Sequence, residues 1–127
     1  MAQQDVANQS QFTILDSAAR TATPTVDDFI IKAGPGLIVV IDVTVDPASA
    51  SVVFIIKGKD VVSGKTFDLL TSAAIAATGT TILRVHPVLT AAANLIAKTM
   101  VPPMITMTAT HADGDSITYS VVGMITN

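Results

Sequence analysis

His86 and His111 are the only histidines among 127 residues, and His111 is followed closely by Asp113, Gly114, Asp115 and Ser116. These residue types could serve three chemistries. Two imidazoles with a carboxylate can hold zinc, but the 25-residue separation matches neither HxH nor HExxH, the spacings that put two imidazoles on one metal. Asp113-Gly114-Asp115 resembles the start of a calcium loop, yet calcium needs six to eight oxygens, and a chain with no glutamate cannot supply the late bidentate ligand. Ser116 beside Asp115 and His111 contains the three residue types of a nucleophilic triad, but triads gather distant segments around an oxyanion hole, not neighbours at one turn. Asp and Gly tolerate the backbone angles of a tight turn, which explains the cluster without any chemistry. Neither GxGxxG nor GxxxxGK[ST] occurs, so no phosphate loop is expected. The sequence predicts a protein that is not an enzyme and carries no metal or cofactor.

The elements that would position these residues are strands. Beyond residue 11, short β-branched runs alternate with turn signals, at 12–19, 28–32, 37–45, 52–59, 66–71, 80–86, 103–111 and 116–126. About eight short strands predict an all-β fold, an antiparallel sandwich or barrel, with at most one short helix. That helix is expected at 88–98, where Val88, Leu89, Ala92, Leu95 and Ile96 share a side, Thr90 could cap and Pro102 stops extension. Gly34-Pro35-Gly36 predicts a type II turn. Two hairpins are expected, one around Ser63-Gly64 and a clearer one around Asp113-Gly114. Residues 37–41 (LIVVI) are apolar on both faces, as in a central strand covered on both sides or one facing a subunit interface.

The size fits one domain, 12–127, preceded by a polar arm, 1–11 (MAQQDVANQSQ), whose lack of apolar periodicity predicts a segment loose in the free protein. Half of the residues are hydrophobic and 13% charged, so apolar side chains must reach the surface, where neighbouring subunits would cover them. A net charge of −3, with seven scattered Lys and Arg, argues against nucleic acid as a direct partner. The N-terminus lacks the basic start and apolar core of a secretory signal, which predicts synthesis in a cytoplasm. The longest apolar run is too short to cross a bilayer, and no membrane partner is expected. Cysteine is absent, which excludes disulfides and thiolate sites. Lys57, Lys59, Asp60, Lys65 and Asp68 give the first hairpin a mixed-charge edge that resists stray strand pairing.

Several stretches carry a family likeness: SAARTATPT from Ser17, GLIVVIDVT from Gly36, IKGKD from Ile56, Ser63-Gly64-Lys65, Leu69-Leu70 and DSITYS from Asp115. Together, from about residue 17 onward, they resemble small structural proteins of tailed bacteriophages. The resemblance implies a virion component, a capsid decoration or cement protein on the outside of the head. It would bind the major capsid protein, often as a homo-oligomer, and strengthen contacts between capsid subunits. On that reading Gln3, Asp5, Gln9 and Gln11 of the arm could add strand-like hydrogen bonds to a neighbour, while Ile30, Ile31 and Val62 could pack at subunit contacts. The alternatives are a phage tail or neck subunit, and a carbohydrate-binding module. The second would need a strip of exposed aromatics from one Tyr and four Phe.

Overall fold

The computed structural model describes residues 3–31 and 36–126. Among these residues ten strands form two five-stranded sheets packed as a sandwich. They are β1 (Gln3–Asp5), β2 (Gln11–Arg20), β3 (Asp28–Ile30), β4 (Gly36–Val45), β5 (Val52–Lys59), β6 (Thr66–Thr71), β7 (Gly79–Val85), β8 (Ile96–Ala97), β9 (Met104–His111) and β10 (Ile117–Thr126). One sheet has the order β1-β3-β9-β5-β6 and the other β2-β10-β4-β7-β8, so the fold is an open sandwich and not a closed barrel. The eight expected strands all form, and two short ones, β1 and β8, are added in parallel to β3 and β7. The expected Gly34-Pro35 turn, like the end of the strand expected at 28–32, falls partly outside the described residues.

Alternation along each strand builds the core. In β4, Leu37, Val39, Ile41 and Val43 point inward and are buried, as are Val52, Phe54 and Ile56 of β5. Two aromatic pairs join the sheets. Phe54 of β5 meets Tyr119 of β10 edge-on with centroids 5.3 Å apart, and Phe12 of β2 meets Phe29 of β3 at 5.2 Å. Such contacts add about 1 kcal/mol each beyond the burial of the rings.

The chain changes sheet at most of its connections, which corrects one of the two expected hairpins, and the expected helix does not form either. β5 and β6 do form a hairpin, with Lys57 paired to Asp68 at 3.3 Å, but β9 and β10 lie in different sheets. The Asp113-Gly114 turn therefore arches from one sheet to the other. An arch and a hairpin need the same turn residues and present the same alternating arms, so local sequence does not separate them. Among the described residues no helix forms, and 88–98 is a run of turns ending in β8, held by backbone bonds from Arg84 to Leu95 and from His86 to Ala97. Pairing with β7 satisfies backbone groups that a short isolated helix would leave to water at both ends. Within the arm, Gln3–Asp5 pair with β3 as an edge strand, and Val6 beside them is buried.

One polar cluster interrupts the outer face of the β9 sheet. The Lys59 ammonium lies 2.5 Å from the Asp28 carboxylate, whose side chain is only 8% exposed, and the Thr106 hydroxyl donates to the Asp27 carbonyl at 3.1 Å. A carboxylate so far from water depends on its cation.

Candidate interaction surface

Of the residues that suggested chemistry, all but His86 lie at the β9–β10 arch, where His111 fastens the sandwich. The His111 Nε2 and the Tyr119 hydroxyl are 2.9 Å apart and join β9 to β10 across the two sheets. The Arg20 guanidinium sits 4.6 Å from the centre of the Tyr119 ring, where cation and π face attract. From there it donates to three carbonyls: Tyr119 at 2.7 Å, Asp16 at 2.5 Å and Ala18 at 3.2 Å. The register of β2 against β10 breaks between Tyr119 and Val121, beside the carbonyls that Arg20 holds. Burial, reinforced by the Arg20 charge and opposed by Asp113, holds the His111 imidazole below its ordinary pKa of 6.5. Burial pushes the Tyr119 phenol up to about 12, with Arg20 acting in the opposite direction. A neutral imidazole beside a protonated phenol is a structural fastening.

The other candidates are spread apart. Asp113 turns back to accept from the Asp115 amide at 3.0 Å, and the His86 Nδ1 accepts from the Val88 amide at 3.1 Å, so each stabilises its own turn. Among the described residues neither His111 nor Asp115 bonds the Ser116 hydroxyl, and no group of three or more His, Cys, Asp or Glu converges on a common point.

The arm residues occupy an edge of the fold. Gln3 and Asp5 lie in β1 in register with Asp28 and Ile30, and the Val6 amide donates to the Ile30 carbonyl at 2.9 Å. Gln9 bonds back to Val6, and Gln11 begins β2. Gln3, Asp5, Gln9 and Gln11 are all exposed, but on a docked segment, so a partner would meet them already ordered. A polar strand can dock in this way because ladder hydrogen bonds do not depend on side-chain type, and Val6 was the only apolar signal of it. Ile30 is half-buried. Ile31, in contrast, is a core residue and is unavailable as a contact, its amide bonded to the Pro103 carbonyl at 2.9 Å.

Val62 is 97% exposed and stands with Val61 at the tip of the β5–β6 hairpin. Every other residue of that tip is engaged in holding it. Asp60 accepts from the Val62 amide at 3.0 Å and the Ser63 hydroxyl at 2.8 Å, the Lys65 amide donates to Ser63, and Asp60 and Gly64 close backbone bonds across the turn. These bonds hold the Asp60 carboxyl below its usual range, the Ser63 hydroxyl contributing most. Gly64 takes a φ of 74°, which a side chain would strain. The tip is thus rigid, with two branched apolar side chains directed into water.

Other large apolar side chains reach the surface at Phe67, Val88, Leu95 and Met100. Phe67 lies across Gly58, where a Cβ would fall 2.4 Å from its ring, with Pro102 on the same side. Reading the sequence by strands and turns missed Val61, Phe67 and Met100. The available signal was two adjacent β-branched residues inside a turn, a place that favours Asn, Asp, Gly, Ser and Pro.

At the far end of the same hairpin the chain leaves β6 through an alanine-rich segment that lines a groove of about 380 Å³ together with Leu95. Comparison of the sequence with protein-family models and with curated proteins finds no match in either.

Proposed function

We propose that the protein is a structural component of a virus particle, a capsid decoration protein that binds the outside of a tailed-phage head. It would bridge major capsid subunits as part of a repeating homo-oligomeric array. The observation that carries this reading is the almost complete exposure of Val62, with Val61 largely exposed beside it, on a turn closed by hydrogen bonds. Val62 gains nothing inside the molecule, and an ordered apolar knob loses little conformational entropy when a partner covers it. Binding many copies to one shell stabilises the bound lattice by mass action, without chemistry at any site.

A sugar-binding module is a poorer fit. Phe12, Phe29, Phe54 and Tyr119 are buried in the core, which leaves Phe67 as the aromatic residue at the surface, and one ring makes no stacking strip.

The test is the protein content of purified particles. The expected result is a copy number commensurate with the major capsid protein, and rebinding of recombinant protein to heads that lack it. A few copies confined to the tail or neck would select the alternative virion role, and absence from particles would overturn both.

A further inference from the structure

We propose that the β5–β6 hairpin carries both halves of a self-association site: the Val61–Val62 knob of one copy seats in the alanine-lined groove of the next, joining molecules head to tail. The two halves lie at opposite ends of one hairpin. The knob follows Lys59, the last residue of β5. The groove borders the start of that strand, where Val52 and Ile75 exchange backbone bonds at 3.0 and 2.9 Å. Eight residues of strand hold them roughly 26 Å apart, so one molecule cannot fill its own groove.

Their chemistries match. The groove is lined by Ala73, Ala74, Ala76, Ala77 and Leu95, with Thr78, Thr80, Thr81 and Asn94 at its polar part, and its volume of about 380 Å³ is near the lower end of ligand-sized pockets. Its short side chains leave room for branched aliphatic groups. The start of the alanine segment is anchored to β5. Ser72 bonds Phe54 in both directions, its hydroxyl accepting at 2.9 Å and its amide donating at 2.8 Å, and that hydroxyl donates to the Ala73 carbonyl at 2.8 Å.

Charge agrees as well. Lys65 stands exposed beside the knob without an ion pair among the described residues, while the exposed Asp60 carboxylate is engaged by the Val62 amide and the Ser63 hydroxyl. At the groove, Thr80 donates to the Asp42 carboxylate at 3.4 Å, so an acid borders the receiving side. A contact between different patches of identical subunits is heterologous, and it continues into a ring or a filament unless the chain is capped.

The inference uses the assembly reading for its biological setting alone, and its test needs only the isolated protein. Val62→Asp alters the knob and Ala76→Lys the groove, both at exposed positions; circular dichroism and thermal melting check that each variant stays folded. By sedimentation velocity up to about 1 mM, where weak contacts are still populated, wild type is expected to form oligomers larger than a dimer. Each variant alone should sediment as a monomer. The equimolar mixture should give a dimer and nothing larger, because only the intact knob of Ala76→Lys and the intact groove of Val62→Asp can meet. Three results would overturn the proposal: a monomeric wild type, a variant that still oligomerises, or a mixture that stays monomeric. A monomeric wild type that nonetheless binds particles would leave the decoration reading standing.

Discussion

Raising the pH through the ordinary range of a phenol is expected to leave Tyr119 protonated for as long as the protein stays folded. The ring is fully buried, its hydroxyl is paired with His111, and burial moves the pKa from 10.0 to about 12. Two units correspond to roughly 2.7 kcal/mol between the protonation states. The hydroxyl lies at an end of the sandwich beside a half-exposed histidine, so solvent screening leaves about 1–1.5 kcal/mol of this as stability. The folded pKa is raised above the unfolded one, so this contribution is complete below about pH 10 and is lost as the pH rises towards 12. With one Tyr and no Trp in the chain, phenolate absorbance in the near ultraviolet reports this residue alone. Titration should show phenolate appearing only near pH 12, or together with loss of the sheet signal in circular dichroism. In denaturant the midpoint should return to the ordinary value. A midpoint near 10 with the sheet signal intact would refute the packing assigned to Tyr119.

Three further outcomes follow from the packing. Lys59→Met, which leaves the Asp28 carboxylate buried without its cation, should lower stability in urea by about 3 kcal/mol, and adding Asp28→Leu should restore most of it. Gly123→Ala would place a Cβ 2.5 Å from the Phe12 ring, and because that ring is packed against Phe29 the melting curve should show a loss of about 1–3 kcal/mol. The depressed pKa of His111 gives stability that is present above pH 6.5 and is lost as the pH falls through the folded value; His111→Gln should flatten this slope in melts taken between neutral and mildly acid pH.

The strands were legible because their signal is local. β-branched runs bounded by Pro, Gly and Asp located eight of the ten strands found among the described residues. The apolar run of β4 is central in its sheet, between β10 and β7, but it is not covered on both sides. Its second face is half-buried at Ile38 and Val40, which pair with Met124 and Val122 across the ladder. Of the candidate contact residues, Val62 is at the surface as expected, while Ile31 is not, since isolated apolar residues look alike whether they face the core or water.

By itself, then, the sequence determined an all-β domain, its principal strands, and an apolar excess too large to hide. The tertiary structure decided which sheet each strand joins, because a turn fixes where the chain reverses and not which neighbour supplies the hydrogen bonds. That choice made an arch at Asp113-Gly114, drew residues 3–6 onto β3, and stacked Arg20, His111 and Tyr119 from positions up to 99 residues apart. It also set the exposed valines and the alanine groove at opposite ends of one hairpin, a separation fixed by the length of β5 and invisible in the residues of either.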